Sequence, residues 1–272
     1  MQPIVIAVAP SGGWGVGGGN PTNPAAIARD VVECARLGAS IVHLHARDSA
    51  GNLTTDLSAL KETIRMIRDR TDIIVEASTG GLSSMNARER ALPVGRCDAE
   101  LASLNIGSLN VGDHVYRNSV PDVRYWITVM RESEVHPSIE IFDTGHVETA
   151  LHLIEAGLLL APYNFSFIFG VRWGMPFDEY LARYLLGRIP AGAVAGAILI
   201  GSADFEAHLT ACDLGCRVVR VGFEDSRRYG GRSAAHNAEL VAALRTRLTD
   251  AGYAIATVGE ARELLLWCHW TE

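Results

Sequence analysis

The stretch Ala39–Asp48, ASIVHLHARD, decides the fold and carries the first chemical signal of the chain. Its first residues are short, apolar and partly β-branched, and they follow Gly38, which is typical of a buried strand. Side chains alternate along a strand, so His43 and His45 point to the same side and can reach one metal ion. A single histidine on such a strand is more often a hydrogen-bonded core residue. The pair, followed by two charged residues, favours a metal site.

On both sides of this stretch, apolar runs of strand length alternate with amphipathic segments of helix length. Besides the histidine strand, strands are predicted at 3–10, 72–77, 99–104, 138–142, 164–169, 192–200 and 217–223. Helices are predicted between them, and two more close the chain at 233–252 and 258–267. Eight strand-then-helix units without a linker predict a single (β/α)8 TIM barrel over residues 1–272, with a C-terminal helical extension. A doubly wound sheet is the alternative, although it rarely carries eight regular repeats.

Composition excludes several classes of protein. The chain of 272 residues is 48% hydrophobic and 20% charged, which is a globular balance. Its formal net charge of −7 argues against a nucleic-acid-binding protein, which usually carries a basic face. No run approaches the roughly 20 apolar residues of a membrane span, and the start lacks the charged region of a signal peptide. The expectation is a cytoplasmic protein.

Cysteine and lysine usage narrows the chemistry further. Five cysteines without a CxxC pair indicate buried thiols rather than a disulfide framework or a thiolate metal site. The only lysine, Lys61, falls on the polar face of a predicted helix. Schiff-base aldolases need a desolvated lysine in the site, so that class is excluded.

Polar side chains cluster where the predicted strands end. Catalytic residues of such barrels lie at the carboxyl ends of the strands, so these positions are candidates for one site. They are Ser11, His43, His45, Ser78, Thr79, Asn105, Asp143, Glu224 and Asp225.

The eighth strand, RVVRVGFED at 217–225, supplies a candidate third ligand. Alternation predicts that Arg220 and Glu224 point into the barrel, with Gly222 between them leaving space above the arginine. A buried arginine needs a carboxylate or an anionic ligand beside it. The first strand lies between the eighth and the second, so Glu224 and the two histidines should flank one opening.

Two imidazoles and one carboxylate form the ligand set of a catalytic zinc, and the set also occurs for non-haem iron(II). Zinc is the preferred interpretation. A plainer interpretation is that Glu224 and Asp225 open the next turn and that Arg220 forms an internal ion pair. That interpretation does not explain why all these side chains should face inward on adjacent parts of one rim.

The motifs HLHARD, STGG at 78–81, ASLNIGSLN at 102–110 and RVGFEDSRRYGGRSAAHNAELV at 220–241 resemble the β-keto acid cleavage enzymes. The best-known type of this family is 3-keto-5-aminohexanoate cleavage enzyme. The resemblance covers nearly the whole chain and implies a (β/α)8 barrel, usually a homotetramer, with bound zinc. It implies conversion of a β-keto acid and acetyl-CoA, the co-substrate, into acetoacetate and a new CoA thioester.

The resemblance also implies roles for single residues. His43, His45 and Glu224 would bind zinc, Arg220 would hold the substrate carboxylate, and Asp225, a free carboxylate turned over the site, would act as the base. The substrate pocket would be lined by Ser78, Ser103, Asn105 and Glu140. The loop at 11–19, SGGWGVGGG, lacks the acidic residue that the best-known type carries there. Together with Trp14, this predicts a neutral or apolar β-keto acid rather than one with an ammonium group.

Two other functions compete with this interpretation. An amidohydrolase-type zinc hydrolase also carries an HxH pair, but on its first strand and with further ligands on later strands. A non-catalytic barrel with structural zinc would need four protein ligands, and the sequence offers no convincing fourth.

Overall fold

Eight parallel strands close into one barrel in this computed structural model, which describes residues 2–12, 20–81 and 84–266. The twelve strands of the described residues are β1 (Val5–Val8), β2 (Ala39–Leu44), β3 (Ile74–Ala77), β4 (Leu101–Asn105), β5 (Leu109–Val111), β6 (His114–Tyr116), β7 (His136–Ile141), β8 (Asn164–Phe169), β9 (Val194–Leu199), β10 (Val218–Val221), β11 (Arg228–Tyr229) and β12 (Arg232–Ser233). Around the barrel the order is β1-β10-β9-β8-β7-β4-β3-β2, while β5–β6 and β11–β12 form two small hairpins outside it. The predicted (β/α)8 barrel is confirmed, and the doubly wound sheet is wrong.

Helices connect the strands on the outside of the barrel. They are α1 (Pro24–Arg36), α2 (Ser58–Arg68), α3 (Ala87–Ala91), α4 (Val120–Glu132), α5 (Thr144–Glu155), α6 (Glu179–Arg188), α7 (Glu206–Leu214), α8 (Asn237–Asp250) and α9 (Val258–Leu266). Local sequence explains their starts: the Asn23 side chain accepts from the Ala26 N–H at 2.9 Å, and Pro24 occupies the first turn of α1. Among the described residues, no helix is long and apolar enough to cross a membrane.

Each barrel strand has an outward face that packs against helices and an inward face that fills the barrel. On β8, Phe165, Phe167 and Phe169 belong to the core beneath the helices. The alternate side chains, including Ser166 and Ile168, line spaces inside the barrel. This alternation determines which residue on each strand can reach a site within the barrel.

Helix α9 covers the amino-terminal end of the barrel. Ala261 and Leu265 are buried against inward-facing apolar residues of the barrel strands, among them Val5 and Ile41. The Asn164 side-chain amide donates to the Leu265 carbonyl at 2.9 Å. The predicted helical extension therefore lies across the end opposite to the strand carboxyl ends.

The boundaries differ from the prediction mainly at the strand ends. Strand β10 ends at Val221 instead of Phe223, and neither hairpin outside the barrel was predicted. Four cysteines, Cys34, Cys97, Cys212 and Cys216, are free and buried, as predicted for structural thiols. The predicted loop at Gly13–Gly19 and Cys268 lie outside the described residues.

Candidate metal and substrate site

Three side chains with metal-ligand chemistry meet at the carboxyl end of the barrel. His43 lies on β2, His45 follows the end of that strand, and Glu224 comes from the segment after β10. The His45 Nε2 atom lies 3.2 Å from Glu224 Oε2, and the His43 Nε2 atom lies 4.0 Å from Glu224 Oε1. Ligand atoms of all three residues lie within 4.8 Å of one another. The structure thus brings together the three residues named as ligands from the sequence.

Glu224 reaches this position from a turn and not from a strand, which corrects the predicted register. After Val221 the chain leaves the sheet, and the Glu224 N–H donates to the Ala9 carbonyl at 3.2 Å. Gly222 has φ +147°, and a Cβ atom there would lie 2.1 Å from the Ala9 carbonyl oxygen. The glycine therefore makes room for the backbone of the first strand. The prediction that Gly222 leaves space above Arg220 is therefore wrong.

A fourth buried residue, Glu76, orients one of the histidines. Glu76 on β3 is the register partner of His43 on β2, and its Oε2 lies 2.6 Å from His43 Nδ1. A hydrogen bond at Nδ1 leaves Nε2, the atom that faces Glu224, available as a ligand. Glu76 is not among the site residues predicted from the sequence. The signal was an inward-facing carboxylate on the strand next to the histidine strand.

Burial and charge set the ionisation of the cluster. Burial alone would lower the pKa of His43, but the carboxylates of Glu224 and Glu76 outweigh it and raise that pKa. His45 is the reverse case, because burial prevails and lowers its pKa. Burial would raise the pKa of Glu224, yet Arg220 and the two histidines hold it well below the usual range. Glu224 is therefore ionised at neutral pH, as a metal ligand must be.

The donor set fits a metal ion. The Nδ1 atom of His45 is buried without a hydrogen-bond partner among the described residues, and His45 Nε2 and Glu224 Oε2 are buried 3.2 Å apart without the geometry of a hydrogen bond. Burying polar atoms unpaired is costly, so such atoms indicate a ligand. Zinc–ligand distances of about 2.0–2.2 Å imply ligand atoms roughly 3.4 Å apart at tetrahedral angles. The separations of 3.2 and 4.0 Å are close to that value.

Arg220 and Asp225 form a buried ion pair beside the cluster. The arginine donates from Nε to Asp225 Oδ2 at 3.0 Å and from Nη2 to Asp225 Oδ1 at 2.6 Å, and Nη2 also lies 3.3 Å from Glu224 Oε1. From the sequence, Asp225 is expected as a free carboxylate turned over the site. In the structure, both carboxylate oxygens of Asp225 instead accept hydrogen bonds from Arg220. Burial raises the pKa of Asp225 in spite of the arginine.

A cavity of about 310 Å³ opens beside these residues. Its wall includes most of the polar residues expected at the substrate pocket: Ser78, Asn105, Glu140 and Arg220, together with His43, His45 and Glu224. Burial raises the pKa of Glu140 to about 7. Tyr116, which the sequence analysis did not single out, also lines the cavity.

Ser103 and Asp225 do not belong to this wall. The Ser103 hydroxyl accepts from the Thr79 N–H at 3.0 Å, and the Thr79 hydroxyl donates to the Ser103 carbonyl at 2.6 Å. Ser103 and Thr79 are both buried. Ser103 therefore holds the segment after β3 in place from one layer below the cavity.

Comparisons with known proteins identify the family of this chain. A family model described as beta-keto acid cleavage enzyme matches residues 3–266. The chain is 31% identical over 271 residues to 3-keto-5-aminohexanoate cleavage enzyme from Fusobacterium nucleatum, covering 97% of this chain and 98% of that one. It is 30% identical to 3-oxoadipate:acetyl-CoA acetyltransferase from Cupriavidus necator, covering 97% and 95%.

Solved structures support the fold. The ternary complex of ObcA with a C4-CoA adduct and oxalate superimposes with a TM-score of 0.76 at 21% identity, covering 91% of this chain and 67% of that one. At this identity the likeness concerns the fold alone. The family match, in contrast, spans nearly the whole sequence and includes every residue of the site. The chain therefore belongs to the beta-keto acid cleavage enzyme family and is a carbon–carbon bond-cleaving acyltransferase.

Proposed function

We propose that this enzyme is a zinc-dependent β-keto acid:acetyl-CoA cleavage enzyme. The observation that carries the proposal is the meeting of a three-ligand cluster and a buried arginine in the wall of one cavity. Relatives named for 3-oxoadipate:acetyl-CoA and 3,5-dioxohexanoate:acetyl-CoA transfer support the choice of acetyl-CoA as co-substrate.

The reaction replaces the acyl group on C2 of the β-keto acid with the acetyl group of acetyl-CoA, while C1 and C2 stay together. C2 of the β-keto acid loses a proton and attacks the acetyl carbonyl carbon, which forms a C–C bond and expels the CoA thiolate. The thiolate then attacks the original keto carbon, the bond between that carbon and C2 breaks, and the proton removed in the first step returns to C2. The products are acetoacetate and the CoA thioester of the remaining acyl group, so no oxidant or water is consumed.

The metal ion would be held by His43, His45 and Glu224. When bound, it supplies a Lewis acid that polarises the keto oxygen and makes C2 more acidic. Glu76 holds His43 in the tautomer that presents Nε2 to the ion. A zinc ion held by these three described residues would keep a coordination position for substrate, whereas a structural zinc has four protein ligands.

Arg220 would bind the substrate carboxylate. Arg220 lines the cavity, and its described hydrogen bonds use Nε and Nη2, so we assign the substrate carboxylate to the remaining Nη1. A carboxylate there shares the charge of the arginine with Asp225. We propose that this sharing loosens Asp225, which then accepts the proton from C2, while Ser78, Asn105 and Glu140 line the pocket around the reacting carbons.

The proposal includes a homotetramer, which the resemblance implies. Tyr180 and Tyr184, four residues apart on α6, expose large aromatic surfaces and are available for a subunit contact. Sedimentation of the purified protein measures the oligomer directly, and a stable monomer would contradict this part.

The test is acetoacetate formation from a panel of β-keto acids with acetyl-CoA. We expect product with acetyl-CoA, none without it, loss of activity after chelation, and recovery on adding one equivalent of zinc. An amidohydrolase-type activity would instead release a hydrolysis product without acetyl-CoA. That outcome, or acetoacetate formation that persists without a metal ion, would overturn the proposal.

A further inference from the structure

The inward side chains at the carboxyl end of the barrel divide the cavity into a polar half and an apolar half. On the polar half, His45 and Ser78 directly follow β2 and β3, and Asn105 is the last residue of β4. On the other half, Phe142 and Ile200 directly follow β7 and β9, and Ile168 lies on β8; Glu140 of β7, two residues before Phe142, is the charged exception. We call Phe142, Ile168 and Ile200 the apolar wall.

The strand order places the apolar wall across the cavity from the metal ligands. In the closed barrel, β8 is the fourth neighbour of β2 in both directions. Ile168 therefore lies diametrically opposite the histidine strand. A β-keto acid whose carboxylate meets Arg220 and whose keto oxygen faces the histidines directs its remaining carbons away from β2, towards this wall.

The charges of the cavity argue against a cationic tail. Its described carboxylates are Glu140 and Glu224, and both belong to the reacting end: Glu140 interacts electrostatically with His43 and Arg220. The loop at 13–19, GWGVGGG, contains no acidic residue by sequence. The charged group that accompanies the apolar wall is the exposed guanidinium of Arg172, which repels an ammonium group.

We infer that the physiological substrate is a β-keto acid with an uncharged, apolar tail, and that Phe142, Ile168 and Ile200 form the subsite for that tail. The inference rests on the proposed function. Burying one methylene contributes enough to change kcat/KM about fourfold when the contact is made in the transition state. Desolvating an ammonium group without a counter-ion costs considerably more.

Three six-carbon acids of matched length test the inference: 3-oxohexanoate, 5-amino-3-oxohexanoate and 3-oxohexanedioate. We expect kcat/KM for 3-oxohexanoate to exceed that for each charged acid by at least about tenfold. An equal or higher kcat/KM for 5-amino-3-oxohexanoate overturns the inference. So does preference for the dianion, which would mean that Arg172 binds a terminal carboxylate. Failure of every acid to give acetoacetate would contradict the proposed function itself, whereas an inverted ranking contradicts the apolar tail alone.

Ile168→Asp, with Ile168→Asn as the uncharged matched control, locates the subsite. The ratio compared is kcat/KM for 5-amino-3-oxohexanoate divided by kcat/KM for 3-oxohexanoate. The aspartate variant should raise this ratio by at least about tenfold, and the asparagine variant should not. An unchanged ratio, or a rise in KM for acetyl-CoA alone, would show that the wall does not contact the tail. Circular dichroism and thermal unfolding report folding. If Ile168→Asp does not fold, Ile200→Ala replaces it, and the preference for 3-oxooctanoate over 3-oxohexanoate must then change.

Discussion

Asp225 and Glu224 are adjacent in the chain, yet they face different surroundings. Glu224 contacts the two histidines and lines the cavity, while Asp225 pairs with Arg220 and is not part of the cavity wall. This separation results from the turn after β10, since residues within a turn do not follow strand alternation. The two carboxylates can therefore be distinguished by mutation.

Asp225→Asn should retain zinc but lose about two to four orders of magnitude in turnover, because the amide cannot accept a proton. Glu224→Gln should instead weaken zinc binding. Metal content and rate are measured on both variants. The acidic limb of the kcat/KM profile should also disappear in Asp225→Asn, which a purely positioning role would leave in place. If Asp225→Asn loses the metal and Glu224→Gln keeps it, the two roles are reversed.

Glu76→Gln should weaken zinc binding by about 10- to 100-fold, because the neutral amide orients His43 and supports its basicity less well than the carboxylate. Competition with a zinc indicator measures the affinity independently of activity. Glu100→Gln is the control, since this carboxylate pairs with Arg68 and Arg262 away from the site. Equal zinc affinity in the Glu76 variant and the control would remove Glu76 from the metal site.

At the scale of elements, the site depends on how the segment after β10 crosses the end of β1. The Glu224 N–H binds the Ala9 carbonyl, and Gly12 lies so close that a Cβ atom there would be 2.7 Å from Glu224 Cγ. Phe223 is fixed separately, because its N–H donates to the Asn237 side chain of α8 at 2.8 Å. Contacts between distant parts of the sequence thus position the carboxylate ligand.

Gly222→Ala should disrupt this crossing. Alanine at φ +147° is strained, and its Cβ atom would clash with the Ala9 carbonyl oxygen. We expect a loss of at least about 1–3 kcal/mol in the free energy of unfolding and weaker zinc binding. Gly230→Ala is a matched control, since that glycine also has positive φ, +53°, but has open space around it. Similar zinc affinity in the two variants would contradict a specific role for Gly222.

At the scale of the molecule, the barrel encloses ionisable groups that an open fold would leave in water. Glu140 is buried in the barrel interior, and burial raises its pKa from 4.5 to about 7. Between these pH values the folded protein keeps a proton that the unfolded chain has lost. Rising pH therefore destabilises the folded state through this residue, with the full penalty present above about pH 7.

Glu140→Gln removes this penalty. In metal-free protein, the variant should gain stability relative to the wild type at pH 8, on the order of 3 kcal/mol, and gain none at pH 4. Urea unfolding at both pH values measures the difference. A constant difference across this range would show that Glu140 keeps an ordinary pKa in the folded protein.

The sequence by itself determined the barrel, its strand order around the site, and the group His43, His45, Arg220 and Glu224. Hydrophobic periodicity and polar residues at strand ends are local features of the sequence. They suffice to predict these residues as one group because the carboxyl ends of all barrel strands lie at the same rim. Only the tertiary structure decided three further features. Two of them, the turn that carries Glu224 and the Arg220–Asp225 pair, were the plainer alternative that the sequence left open, and the third is the Glu76–His43 contact. Each depends on which atoms of separate strands meet at hydrogen-bond distance. Alternation fixes the side a residue faces, whereas the partner it meets there is set by register and by the backbone beyond the strand end.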